Sequence, residues 1–266
     1  MKFLYRISNN SYNKPKLKNA TKEHCFLNFL HNVLTASDTL EVLADNINSE
    51  LKDFLQTHLP NHGKLVEINV GSNGASFRLQ MQMACESPDH EIVVLHEDDY
   101  LYRPHLSDTP LKKFNQLAIA EGLTKSHYVS LYDHPDKYIP RLQVNADQVA
   151  PLVTPSIDHP LVIQDGIQWG NPLISDDGVE NTGIFLTERS HWKYTNSTTL
   201  TFAAYAKTLK EDYPVWEDNS RDAHPHDYWA FTALGKAGRK IATPIPGLST
   251  NTELPWISPL FDWEVM

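Results

Sequence analysis

Ile92-Val93-Val94-Leu95-His96-Glu97-Asp98-Asp99 sets an unbroken apolar run against three consecutive acids. Four apolar residues in a row suit a strand covered on both faces, as in a parallel sheet, better than the alternation of a half-solvated strand. The acids then mark the carboxyl end of that strand. Adjacent carboxylates repel one another, so their gathering at a buried strand end calls for a cation or several hydrogen-bond donors. Carboxylate oxygens suit Mg²⁺ or Mn²⁺, and Mg²⁺ commonly completes its shell with water and substrate phosphate. Taken alone, the triplet is as well read as a solvated acidic loop.

The residues on either side repeat the strand–helix rhythm. A strand is predicted over 2–7, a polar loop over 8–20, and a helix capped by Thr21 whose Phe26, Leu27, Leu30, Val33 and Leu34 share one face. Residues 40–44 form a strand ending in Asp45-Asn46, and Leu51, Phe54, Leu55 and Leu59 follow at helical spacing. A third strand over 65–70 closes on Gly71-Ser72-Asn73-Gly74, residue types that favour a tight turn, before a helix over 75–85. A helix over 111–120 and a strand over 128–131 continue the series. Past Asp133 the regularity fades, with proline and polar residues over 133–172, a short strand over 183–186, a helix over 202–209, another over 227–235 and an apolar tail.

This alternation predicts an α/β fold: a Rossmann-type, mostly parallel sheet with helices on both faces and a less regular C-terminal region. Ligands of such sheets bind beyond the strand carboxyl ends. Asp45, Asn73-Gly74 and the acidic run should therefore share one rim. No repeat or linker divides the chain, so 1–266 is expected to be a single domain.

Composition narrows the function. Lys+Arg is 23 and Asp+Glu is 33, a formal charge of −10 that opposes non-specific nucleic-acid binding, although a local basic groove stays open. Two cysteines, Cys25 and Cys85, make neither a disulfide framework nor a zinc knuckle. No run is long and apolar enough for a membrane span, and Met1-Lys2-Phe3-Leu4-Tyr5-Arg6 turns polar before an export signal could form. A cytoplasmic protein is the expectation.

Leu43-Ala44-Asp45-Asn46, then Asn73-Gly74-Ala75-Ser76-Phe77-Arg78, then Val94-Leu95-His96-Glu97-Asp98-Asp99 follow in the order of one known group. The first half of the chain resembles the GT-A-type nucleotide-sugar glycosyltransferases, particularly the family-two group, and the second half resembles them loosely. The resemblance implies a nucleotide-sugar-binding half over 1–133 and an acceptor-binding half over 134–266. It implies that Asp99 holds Mn²⁺ or Mg²⁺ and that Glu97 and Asp98 meet ribose or donor sugar. Asp45 would face the nucleobase or ribose, Arg78 would answer the pyrophosphate, and Ser8 and Asn73 would line the nucleotide pocket. Lys14, Lys16 and Lys18 follow the first strand, where a solvated loop is an equal reading.

The acceptor side offers Asp222-Ala223-His224-Pro225-His226-Asp227-Tyr228-Trp229. A carboxylate suits the task of taking a hydroxyl proton, with Asp227 the first choice, Asp222 the second, and inversion at the sugar carbon the consequence. Asp227 has a second reading as a helix N-cap. His191 and Trp192, and Tyr132 and Asp133 in the stretch up to Tyr138, are candidate sugar-recognition groups, against core packing and a proline turn. The 13 histidines invite a metal-dependent hydrolase, yet His224-Pro225-His226-Asp227 is the only close cluster. A non-catalytic sugar-nucleotide or carbohydrate binder is the third class. UDP is the default donor base. The acceptor stays open among polysaccharide, lipid-linked saccharide, protein and a hydroxylated base in phage DNA.

Overall fold

The structure, a computed structural model, describes residues 1–9, 14–104, 111–135 and 183–266. Residues 136–182 lie outside it, and with them Asp136, Lys137 and Tyr138. Four strands, β1 (Lys2–Ser8), β2 (Thr39–Asp45), β3 (Gly63–Ile68) and β4 (Ile92–His96), pair in parallel in the spatial order β3-β2-β1-β4. A short β5 (Tyr100–Tyr102) leaves this sheet, which resumes with β6 (Tyr128–Val129), β7 (Ile184–Leu186), β8 (His191–Thr195), β9 (Phe202–Tyr205) and β10 (Ile241–Ile245). The full order is β3-β2-β1-β4-β9-β6-β10-β8-β7, and β9 and β8 alone run against the rest. The sheet is mostly parallel, as expected. A separate ribbon pairs β5 with β11 (Ser249–Asn251).

Period-two alternation decides which face each strand residue serves. Phe3, Tyr5 and Ile7 of β1 pack with one core layer and Leu4 with the other. The first layer lies under α1 (Lys22–Asn32), α2 (Ser49–His58) and α4 (Leu111–Gly122); the second lies under α3 (Asn73–Cys85), α5 (Ala206–Asp218) and α6 (Asp227–Lys236). Helices cover both faces. Among the described residues no helix is long and apolar enough to cross a membrane.

Some local expectations shift. Thr21 caps α1 as read, its Oγ1 accepting from His24 N at 3.1 Å. The buried face of α1, however, is Cys25, Phe26 and Phe29, with Leu27 and Leu30 only partly covered. Phe26 and Phe29 meet the Tyr5 ring at 5.2 Å each, which fixes the rotation of the helix. Asn73-Gly74 is no tight turn: Ser72 caps α3, accepting from Ala75 N at 3.2 Å, and those two residues form its first turn. Residues 202–205 are a strand rather than the start of a helix, because Phe202 and Ala204 serve one core and Ala203 the other. The apolar tail contains β10 and β11.

Candidate active site

The carboxyl ends of β1, β2 and β4 and the first turn of α3 open on one cavity of about 550 Å³. Ser8, Asp45, Asn73, Glu97, Asp98, Asp99, Tyr132 and Asp227 all line it. They arrive from the ends of β1, β2, β4 and β6 and from the starts of α3 and α6, so their meeting follows from strand direction and order. Asp45 is fixed by accepting from Val70 N at 3.0 Å and Asn46 Nδ2 at 2.7 Å, which ties the end of β2 to the segment after β3.

Each member of the acidic triplet has its own cation. Arg6 Nη2 reaches Glu97 Oε1 at 3.2 Å, Lys22 Nζ reaches Asp98 Oδ2 at 2.7 Å, and Lys16 Nζ stands 3.6 Å from Asp99 Oδ2. Ser8 N also donates to Asp98 Oδ2 at 3.1 Å, and Glu97 N donates to Thr201 Oγ1 at 3.1 Å. Burial pushes the Glu97 carboxyl up to about 8; Arg6 opposes the rise, while Asp99, Asp227 and Asp98 add to it. Burial also raises Asp99, against the pull of Lys16. Of the three loop lysines, Lys14 and Lys16 face the cavity and Lys18 is exposed elsewhere.

A charge account bears on the metal. Carboxylates from Asp45, Glu97, Asp98, Asp99, Asp227 and Glu253 line the cavity against four cations, Arg6, Lys14, Lys16 and Lys22. Acids therefore outnumber fixed cations. These donors fit a hard divalent ion held by one or two carboxylates together with substrate phosphate. Among the described residues no three or more His, Cys, Asp or Glu gather as a metal cage. The zinc-hydrolase alternative has no such ligand set there.

The loop before α6 is braced on α3. Gly74 N donates to Ala223 O at 2.8 Å, and Arg78 Nη1 donates to Ser220 O. Arg78 is thus spent on loop backbone and does not line the cavity. Asp227 does, as the first residue of α6, with Oδ1 accepting from Tyr228 N at 2.7 Å. His226, not Asp227, holds the cap position. The Asp222 side chain is 77% exposed, pairs with His226 Nε2 at 3.0 Å and is absent from the cavity wall.

Three expected sugar contacts lie elsewhere. Alternation along β8 turns Trp192 wholly into the core, where its Nε1 donates to Thr187 Oγ1 at 2.9 Å. His191 is exposed on the same strand, away from the cavity. Asp133 is fully buried and paired with Lys193 at 2.7 Å, locking β8 to the loop after β6. Trp192 serves core packing and Asp133 strand assembly, while His191 lies on the surface.

No family model and no curated protein matches the chain. Solved structures do. A galactosyltransferase, LgtC, in complex with donor and acceptor sugar analogs is similar at 9% identity, covering 91% of this chain and 73% of its own, with a TM-score of 0.45. A 4-diphosphocytidyl-2C-methyl-D-erythritol synthase from Anaerococcus prevotii is similar at 13% identity over 99% and 92%, with a TM-score of 0.46. TarS 1–349 of S. aureus is similar at 14% identity over 91% and 58%, with a TM-score of 0.42. The fold itself, a mostly parallel α/β sheet with helices on both faces, stands on the strand order and helix placement above.

Sequence reading missed several cavity residues. Arg6 is the clearest: its guanidinium reaches Asn73 Oδ1 at 2.5 Å, Ser76 Oγ at 3.0 Å and Glu97, joining β1, α3 and the acidic turn. A charge inside the otherwise apolar 3–7 run was the available signal. Trp256, Asn251 and Glu253 also line the cavity, beside His134 of the stretch expected on this rim. Of these, Trp256, Asn251 and Glu253 come from a stretch whose pattern shows only an apolar tail.

Proposed function

We propose that the protein is a glycosyltransferase that moves a sugar from a nucleoside diphosphate donor, with UDP the favoured carrier, to an acceptor hydroxyl with inversion. One observation carries the reading: a single cavity joins Asp45 and Ser8, the compensated acidic triplet and the carboxylate of Asp227. That set supplies a polar nucleoside end, a charged middle suited to a diphosphate, and a proton acceptor at the entrance of α6.

In this reading Asp45 and Ser8 orient the nucleoside. Lys16 and Lys22, which neutralise Asp99 and Asp98, also face the diphosphate. Asp99, with its neighbouring carboxylates, would hold Mg²⁺ or Mn²⁺, which when bound supplies charge neutralisation for the leaving diphosphate. Asp227 receives the acceptor hydroxyl proton as the acceptor oxygen bonds to the sugar carbon. The bond from that carbon to phosphate oxygen breaks with its electron pair leaving on the nucleoside diphosphate. Holding both partners in one cavity turns a bimolecular encounter into an oriented one.

Thermal unfolding with UDP, GDP and dTDP, each with Mn²⁺ or with EDTA, tests the proposal. Ligand at a hundredfold excess over its dissociation constant stabilises by about 2.7 kcal/mol. The expected result is a shift with UDP and Mn²⁺ that shrinks with EDTA. Equal shifts with and without metal would remove the metal. No response to any nucleotide would remove the transferase reading.

A further inference from the structure

The cavity runs along the rim from β2 to β6. Neighbouring strands lie about 4.8 Å apart, so the end of β2 and the end of β6, with β1, β4 and β9 between them, stand roughly 19 Å apart. Asp45 marks the β2 end and the acidic triplet on β4 the middle. A donor whose nucleoside sits at Asp45 and whose diphosphate sits at β4 leaves the β6 end for the other reactant.

That end is aromatic. The ring of Tyr132, just past β6, lies 5.1 Å from that of His134, which lies 5.1 Å from that of Trp256 at 47°. Tyr132 OH donates to Trp256 O at 2.5 Å and Trp256 N donates to Glu253 O at 2.8 Å, so the turn carrying the indole is held at both of its backbone groups. Trp256 is half-buried and faces the cavity. Among the described residues the cations lining the cavity, Arg6, Lys14, Lys16 and Lys22, come from β1 and residues 14–22, and Lys14 Nζ is paired with Glu253 Oε1 at 2.8 Å. A wall of stacked aromatic rings suits the C–H face of a sugar ring.

We propose that Trp256, backed by His134 and Tyr132, forms the acceptor subsite and that the acceptor is a saccharide presenting a pyranose face to the indole. The proposal rests on the glycosyltransferase reading for the word acceptor, though the subsite itself can be tested without a donor. Trp256 thereby takes the sugar-recognition role that the sequence offered to Trp192.

The test titrates cellobiose, maltose, lactose and chitobiose into the full chain by saturation-transfer NMR, alongside UDP with Mn²⁺ by calorimetry. At least one disaccharide should bind the wild type. Trp256→Ala should weaken that binding tenfold or more, Trp256→Phe should weaken it less, and UDP affinity should stay within twofold. Should Trp256→Ala fail to fold, Trp256→Leu gives the same comparison with the aromatic face removed. The proposal is overturned if no disaccharide binds, if binding ignores Trp256, or if UDP affinity falls with the indole, which would put the nucleobase on this wall. Saccharide binding that depends on Trp256 without any UDP binding would uphold the subsite and sink the transferase. UDP binding with saccharide binding indifferent to Trp256 would do the reverse.

Discussion

Asp227 and Asp222 look equivalent in sequence, two acids five residues apart in a histidine-rich loop, and the structure separates them. Asp227 lines the cavity while Asp222 stands 77% exposed against His226. Asp227→Asn keeps an oxygen for Tyr228 N, so stability should change by no more than about 0.5 kcal/mol. Turnover should fall on the order of 10²–10⁴-fold with donor affinity intact, as for a lost general base. Asp222→Asn should leave turnover unchanged. Steady-state kinetics on the two variants checks this, and full activity in Asp227→Asn would end the base assignment. His96 carries a different signature. It is wholly buried, stacks on Tyr5 at 4.6 Å, and its Nδ1 lies 2.5 Å from the Glu97 carbonyl oxygen. Burial lowers its pKa to about 3. Between that value and the ordinary one near 6.5, the unfolded chain binds a proton that the folded chain refuses, so stability falls as pH falls. From pH 7 to pH 5 the loss is about 2 kcal/mol. Urea denaturation of wild type and His96→Gln at both pH values should show a slope that flattens in the variant; parallel slopes would refute it. The acid triplet was legible because charge after an apolar run is a local pattern. The burial of His96 and the pairing of Arg6 with Glu97 depend on residues 91 positions apart and left no such trace.

Element identity was legible where period and capping agreed, as at Thr21 and α1, and failed where a short apolar run had two readings. Phe202-Ala203-Ala204-Tyr205 fits either a buried strand or a helix start, and only the gap between β4 and β6 decides for the strand. The brace of α3 on the loop before α6 is another element-scale feature invisible to periodicity. A Cβ on Gly74 would lie 1.9 Å from Asp222 O and 2.9 Å from Ser220 O, both backbone atoms with little freedom to yield. Gly74→Ala should therefore displace the loop leading to Asp227, costing roughly 1–3 kcal/mol as overpacking does, and lower turnover with it. Gly235, inside α6, has open space where its Cβ would be. Gly235→Ala should keep activity and raise stability by up to about 1 kcal/mol. Denaturation midpoints and turnover of both variants check the pair, and a Gly74→Ala protein matching wild type in both would remove the brace.

At the scale of the whole molecule, the first and second halves of the chain are woven into one sheet. β9 comes from the second half yet lies between β4 and β6 of the first, and β10 then flanks β6. Sequence periodicity gives strands and not their spatial order, so this insertion could not be read in advance. The packing follows the weave. Tyr128 of the first half meets Phe202, Trp216 and Phe231 of the second at 5.5–6.1 Å, and Phe77 meets Trp216 at 5.6 Å. A fragment of residues 1–133 would lose the strand that joins β4 to β6 and the aromatic layer over both. It should show no cooperative melt, whereas the full chain should unfold in one transition. The optical probes suit the question, because all six tryptophans lie after residue 133. Their fluorescence reports the second half, while far-UV circular dichroism reports both. Coincident curves mean one cooperative unit. Separated curves, or a 1–133 fragment that melts cooperatively and binds UDP as tightly as the full chain, would show that the halves fold apart and that β9 is an accessory to the nucleotide site rather than part of its frame.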